Sequence, residues 1–391
     1  MTHTADNCDV LIIGCGLFGA FTGLFLAKRG VRVTVLERGW VGAQASGTNF
    51  GNLRLHGRSA HQYPLSLRAQ DLWERYGDLT GEGCEIEPTG HLYFAVTDEG
   101  RDTLRRDVQT ATGFGVVSEL LEGDALRQRF PFLSSDIALA AFSPRSAVAN
   151  PRLATAPVAR AIQRAGGHVI EQCEVSSART FPGGFEVQTT TGRIFSAPKL
   201  VNAAGAWSGR VAEQFGEPVP MFSAGPPQFV TEPLPYRLHP SVHMVEGDVI
   251  VRQIRRGNVI FSGYPRTHSL PSGDFTHVPP SKTLRGMGAL LRCIPMLAHG
   301  EIIRVWSGVE GYLPDMLPVI GPSTTNSSLF HAFGGSGGGF QIAPAVGEGL
   351  AELVACNMLP SMLSGYGIDR FTNSAKVSAK IEREFDWPAN R

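Results

Sequence analysis

The sequence predicts an α/β protein in which both ends of the chain build one parallel-sheet domain and a smaller α+β domain on an antiparallel sheet is inserted between them. Three observations carry this. A short apolar run, Asp9 to Ile13, leads into Gly14-Cys15-Gly16-Leu17-Phe18-Gly19 and then an apolar helical stretch. A second glycine cluster, Gly334 to Gly339, again stands between an apolar strand and a long apolar helix, near the other end. Between them, Phe222 to Ser269 is rich in strand-like runs: QFVT, VIVRQI and NVIFSGY.

Composition fits this frame. The chain has 391 residues, and at roughly 150 residues per domain it holds two domains or one with an insertion. Hydrophobic residues make up 42% and charged residues 18%, a globular mix. Lys plus Arg and Asp plus Glu are both 35, so no basic field exists to attract nucleic acid. Cys8, Cys15, Cys84, Cys173, Cys293 and Cys356 form no CxxC pair and no Cys/His cluster with metal spacing, so no metal site is expected. Scattered thiols suit a reducing compartment. Met1 to Asn7 lacks a basic n-region, and no apolar run reaches membrane-span length. The expectation is a cytoplasmic protein without a membrane span.

Along the chain, Asp9 to Ile13 is a buried strand, Leu17 to Arg29 a helix closed by Gly30, and Val31 to Leu36 a second strand ending at Glu37. Val41 to Leu55 is a loop. Helices are expected at Tyr63 to Tyr76, Gly100 to Thr112 and Glu122 to Phe130, with a strand inside Glu87 to Thr97. Asn150 to Ala165 is a helix that Pro157 kinks. His168 to Glu174, Phe185 to Thr190 and Arg193 to Phe195 form a strand meander leading into the buried strand at Lys199. Gly286 to Ile294 is helical, Leu329 to Phe333 is a last strand, and Phe340 to Asn357 a long apolar helix.

The first glycine cluster is a G-x-G-x-x-G fingerprint in its proper setting, after a strand and opening a helix. Gly14 permits the tight turn, Gly16 lets backbone approach a diphosphate, and Gly19 lets helix and strand pack closely. The helix N-terminus offers N–H groups and partial positive charge to the phosphates. Glu37 lies roughly 20 residues on, where an acid that binds ribose belongs, and it disfavours a 2′-phosphate. These features make the first domain Rossmann-type. They do not separate FAD from NAD.

Further segments do. These are GNLRLHGRSAHQYPLSLRAQDLW at Gly51 to Trp73, LVNAAGAWS at Leu200 to Ser208, RVWSGVEGYLPDMLPVIGP at Arg304 to Pro322 and LFHAFGGSGGGFQIAP at Leu329 to Pro344. With the fingerprint, they resemble the D-amino-acid oxidase / sarcosine oxidase family of flavoenzymes across nearly the whole chain. The resemblance implies an FAD-binding domain over 1–84, 145–222 and 300–391, and a substrate-binding domain over 85–144 and 223–299. Gly14, Gly16, Leu17, Phe18 and Gly19 would hold the pyrophosphate, and Glu37 and Arg38 the adenosine side. Ser46, Gly47, Thr48 and Asn49 would lie over the diphosphate and ribityl chain, and Val175 would pair with adenine. Ala204, Gly205 and Trp207 would let the cofactor pass. Gly335, Ser336, Gly337, Gly338, Gly339, Phe340 and Gln341 would face the flavin's N1–C2=O edge. Gly308 and its neighbours stand where the sarcosine-oxidase branch attaches flavin covalently, without a cysteine, so noncovalent FAD is expected.

On the substrate side, Arg54, His56 and Arg58 fall where that branch brings basic residues to the flavin and the substrate carboxylate. Trp306, Tyr312, Phe340 and Tyr264 are candidate pocket walls, or else plain core. Two departures stand out. Glu310 occupies the neighbourhood of a family arginine that binds carboxylate, so either Arg54, Arg58 or Arg252 takes that role or Glu310 pairs with a substrate cation; alternatively Glu310 sits in a solvated turn. Val249 to Tyr264 has no lysine where sarcosine oxidases carry one for O2, which favours another electron acceptor. The implied chemistry is oxidation of the C–N bond of an amine, amino acid or imino acid, by hydride transfer to flavin, to an imine that water hydrolyses. No protein base is nominated. The acceptor is O2, a quinone or a partner subunit, and an oligomer is left open. The competing readings are the flavoprotein subunit of a hetero-oligomeric amino-acid or opine dehydrogenase, an NAD-dependent dehydrogenase, and a noncatalytic binding protein on the same fold.

Overall fold

Val10–Ile13, buried at every position, is a central strand of a six-stranded sheet in the computed structural model, which describes residues 8–270, 273–372 and 376–387. Val33–Leu36 and Lys199–Asn202 flank it, both parallel to it. His168–Ile170 continues the sheet on one side and Leu329–Phe333 on the other, with Val319–Pro322 added antiparallel at the edge. Strands buried on both faces need a layer on each, and here the meander, through Phe185, Val187 and Phe195, covers one face. Leu17–Ala27 and Gly339–Cys356 supply one layer and approach closely: a Cβ on Gly347 would lie 2.3 Å from the Cβ of Phe21. Tyr63–Glu74 packs beside them, and Trp73 Nε1 donates to the Gln341 carbonyl at 2.7 Å.

The second sheet has eight strands, in the order Ile302–Trp306, Gln228–Pro233, Asn258–Ser262, Ile250–Gln253, Ser241–Met244, His91–Ala95, Leu139–Ser143 and Glu119–Glu122. Every pairing is antiparallel except that of Ser241–Met244 with His91–Ala95. Ile302–Trp306, although it follows residue 300, belongs to this sheet and not the first. A three-stranded sheet of Thr267–His268, Phe222–Gly225 and Glu310–Tyr312 sets Glu310 opposite Ala224.

Several expectations are corrected. The segment from Val41 to Leu55 is not all loop: Ala45–Thr48 forms a helical turn, and Asn52–Leu53 pairs with Ala147–Val148. The helix expected over 150–165 is two helices, Pro151–Ala154 and Ala156–Arg164, broken at the residues before Pro157, as the proline ring requires. The strand at His168 joins the parallel sheet, not the meander. The meander's first strand is Val175–Phe181, mostly solvent-facing, so its polar sequence gives no apolar alternation to detect. All six thiols are free, and Cys356 alone is exposed. No single helix among the described residues is long and apolar enough to cross a membrane. The expectation for Met1 to Asn7 lies outside the described residues.

Candidate active site

A cavity of ≈ 440 Å³ opens where the glycine turns of the parallel sheet meet the eight-stranded sheet. Its wall contains Gly14, Gly16, Leu17, Phe18, Glu37, Arg38, Ser46, Asn49, Val175, Ala204, Gly205 and Trp207, and also Arg54, Arg58, Tyr264, Glu310 and Gly335 to Gln341. Folding therefore brings together most of the residues singled out from sequence.

The three fingerprint glycines have separate causes. Gly14 has φ +99°, and a Cβ there would stand 2.4 Å from the Ala203 carbonyl oxygen. A Cβ on Gly19 would stand 2.0 Å from the Gly14 oxygen, so this residue seats the helix on the turn and does not line the cavity. At Gly16 the nearest atom is Ser46 Oγ at 3.1 Å, so a side chain would project toward the cavity. Ser46 accepts the Leu17 N–H at 2.9 Å, which fixes the helical turn at Ala45–Thr48 over the helix N-terminus. Glu37 is oriented through both oxygens: Cys15 N–H donates to Oε2 at 2.8 Å and Gly39 N–H to Oε1 at 2.9 Å. Each oxygen retains a lone pair for a ribose hydroxyl. Arg38 lies 3.8 Å above the Trp207 ring, and both residues bond Asp274 at 3.0 Å.

Gly47, Thr48 and Gly308 sit behind the wall. A Cβ on Gly47 would meet the Gly42 oxygen at 2.4 Å, and one on Gly308 would overlap Thr48 Oγ1 at 1.9 Å. Trp306 Nε1 donates to the Thr48 carbonyl at 2.9 Å. These residues hold the turn that carries Ser46.

The loop from Gly334 to Gly338 opens the Gly339–Cys356 helix without a side-chain cap. Two guanidinium groups lie over it. A Cβ on Gly338 would stand 2.8 Å from Arg58 Nη1, and one on Gly337 2.8 Å from Arg266 Nη2. Gly337 has φ +74°, which favours glycine, and the bare backbone leaves room for both guanidinium groups.

Arg58 is 7% exposed. Its Nη2 donates to neutral oxygens only, Arg54 O at 3.3 Å and Gln341 Oε1 at 3.4 Å, and its Nε is buried without a partner. Burial, then the Arg54 charge, pull its pKa down to about 9. A desolvated cation with no counter-charge costs free energy until an anion arrives. Arg54 reaches the cavity beside it, with Nη1 bonded to the His56 carbonyl.

Besides Trp306, which does not line the cavity, three substrate-side candidates are corrected. His56 does not face the cavity: it is fully buried, with Nε2 2.7 Å from Ser118 Oγ and Nδ1 3.4 Å from His91 Nδ1. Arg252 turns away to donate to the Ala149 carbonyl at 3.0 Å. Tyr312 lies behind Glu310 and donates its hydroxyl to Glu310 Oε2.

Burial holds His56 down to about 3, and His91 and His243 well below the ordinary imidazole value. Their folded pKa values lie below 6.5, so the unfolded chain binds more protons from there downward and stability falls as pH drops through that window. The midpoint of urea unfolding should therefore fall steadily on acidification from neutrality, and less steeply in His56→Gln.

Sequence reasoning missed Arg266. It lines the cavity, pairs with Glu384 at 2.6 Å with both side chains nearly fully buried, and bonds the Tyr264 hydroxyl at 3.1 Å. Glu384 arrives on the C-terminal segment, where Arg266 N–H donates to the Glu384 carbonyl and Asp386 N–H to the Arg266 carbonyl. Glu384→Ala strands the guanidinium, and an equilibrium unfolding curve should show a loss of about 3–5 kcal/mol. His243 was also missed; it lines the cavity with its Nδ1 buried and unpartnered.

The comparisons with known proteins agree with this cradle. Residues 9–353 match the FAD dependent oxidoreductase family. The chain belongs to that family. It is 30% identical to glycine oxidase of Geobacillus kaustophilus (strain HTA426), covering 90% of this chain and 94% of that protein. It is 28% identical to sarcosine oxidase subunit beta of Rhizobium meliloti (strain 1021), over 95% and 90%. The crystal structure of L-proline dehydrogenase from P. horikoshii superposes with a TM-score of 0.85 at 26% identity, covering 94% of this chain and 98% of that one. For this FAD dependent oxidoreductase, Glu37 and the space kept free at Gly16 fit the adenosine and diphosphate. The bare glycine loop at the helix N-terminus fits the anionic edge of a flavin.

Proposed function

We propose that this FAD dependent oxidoreductase oxidises the C–N bond of an amino acid, imino acid or secondary amine, with FAD held noncovalently. The observation that carries the reading is Arg58, a buried guanidinium without a counter-charge, beside Arg54 and over the glycine loop of the cofactor cavity. When bound, FAD supplies the acceptor for a hydride from the carbon next to nitrogen. The protein's share is placement. Arg54 and Arg58 hold a carboxylate, Tyr264 and Phe340 shape the cavity wall, and the Glu384–Arg266 pair closes one side of it. The product imine hydrolyses to a carbonyl compound and an amine. Trapping the carbonyl as its hydrazone in equal amount to the amine released supports the reading; consumption of substrate with no carbonyl contradicts it.

The noncovalent state is supported by the absence of a cysteine beside Gly308 and by Gly308 itself facing Thr48 and not the cavity. Acid precipitation should leave all the flavin in the supernatant as FAD. A second reading concerns the acceptor. No lysine appears among the described residues lining the cavity, and one relative is a subunit of a larger enzyme. Both favour a partner subunit or a quinone over O2. Turnover with an artificial dye should exceed turnover with O2 by roughly tenfold or more.

A further inference from the structure

We propose that Glu310 receives the substrate's ammonium nitrogen and takes its proton, so that the pocket selects zwitterionic amino or imino acids. This rests on the C–N reading above. The wall is amphoteric: Arg54 and Arg58 present positive charge without a carboxylate partner, whereas Glu310 presents a carboxylate to the same cavity. A zwitterion complements both. Glu310 is held in place. Its strand pairs with Phe222–Gly225, Gly311 O accepts the Ser336 N–H at 3.2 Å, and Tyr312 donates its hydroxyl to Oε2. Oε1 is the oxygen left for substrate.

A nitrogen that enters as an ammonium has no lone pair and cannot release a hydride from its carbon. The proton passes from nitrogen to Glu310. With its lone pair free, the nitrogen could then close the C=N bond as hydrogen left the carbon with both bonding electrons, for which bound FAD would supply the acceptor. The substrate has lost one proton and one hydride, and Glu310 has gained the proton. Burial raises the Glu310 carboxyl above its ordinary value, while the Arg266 charge and the Tyr312 hydroxyl draw it back. Charged or titratable groups on that side are Arg266 and Tyr264 from the neighbouring wall, Tyr312 on the same strand and Glu384 from the C-terminal segment. Arg54, Arg58 and His243 also line the cavity, and Lys380, on the segment that carries Glu384, is near enough to Arg266 and Arg54 to repel them.

The test compares the holoenzyme with Glu310→Gln and Tyr312→Phe. Each is mixed anaerobically with the amino or imino acid that bleaches the wild-type flavin fastest, across a range of pH. Glu310→Gln should reduce roughly 100-fold more slowly near neutrality and recover to within about threefold above the substrate nitrogen's own pKa. Tyr312→Phe removes a bond that favours the ionised carboxylate, so its acid limb should move to higher pH. Equal loss at every pH, no loss, or an unmoved limb in Tyr312→Phe overturns the proposal. A second readout needs no turnover. Glycine betaine carries a carboxylate and a fixed cation but no N–H, and by calorimetry it should bind Glu310→Gln roughly tenfold more weakly than wild type. Equal affinity overturns the cation site. If no compound bleaches either protein at any pH, the C–N reading falls and takes the proton-transfer role with it.

Discussion

Arg58→Met should fold at least as stably as the wild-type apoprotein and yet lose at least about 100-fold in kcat/KM. The two halves have one cause. In the folded chain the guanidinium is desolvated with only neutral oxygens beside it, and its pKa of about 9 records that cost. Methionine fills similar space without a charge, so urea unfolding of the apoprotein should show equal or greater stability. The activity loss follows because the charge is placed for an anion that arrives later. A charge-assisted bond is worth about 1.5–3 kcal/mol, and losing two corresponds to at least about 100-fold. A destabilised apoprotein with normal kcat/KM would mean that Arg58 is structural.

Gly19→Ala should abolish FAD retention and destabilise the protein by roughly 3 kcal/mol or more. The new Cβ would stand 2.0 Å from the Gly14 oxygen, a backbone atom that cannot move without lifting the helix from its turn. Gly16→Ala is the contrast, because its nearest neighbour is the Ser46 hydroxyl at 3.1 Å. That variant should fold normally and bind FAD roughly tenfold or more weakly, the methyl standing where backbone must approach the diphosphate. Flavin-to-protein ratio and apoprotein unfolding measured side by side separate the two.

The cofactor half was legible in sequence because its constraints are local. Gly14, Gly16, Gly19 and Glu37 lie within one βαβ unit, and the loop from Gly334 to Gly339 announces itself by being glycine everywhere but Ser336. The substrate half was legible only in part. Arg54, Arg58 and Glu310 reach the cavity, but His56, Arg252 and Tyr312 spend their polar groups inside the protein. Arg266 escaped notice because its setting comes from Glu384, 118 positions away along the chain. Gly47, Thr48 and Gly308, expected to touch the cofactor, act one layer back, through contacts that spacing does not reveal.

If this cavity holds FAD and brings a C–N bond to it, a nitrogen compound alone should reduce the flavin. Anaerobic titration of the purified protein with a panel of amines, D- and L-amino acids, imino acids and N-substituted amino acids, followed by flavin absorbance, tests it most directly. Zwitterionic amino or imino acids should bleach the flavin, the corresponding 2-hydroxy acids should not, and Arg58→Met should resist bleaching by the same compounds. A flavin that dithionite reduces but that no nitrogen compound bleaches would contradict it.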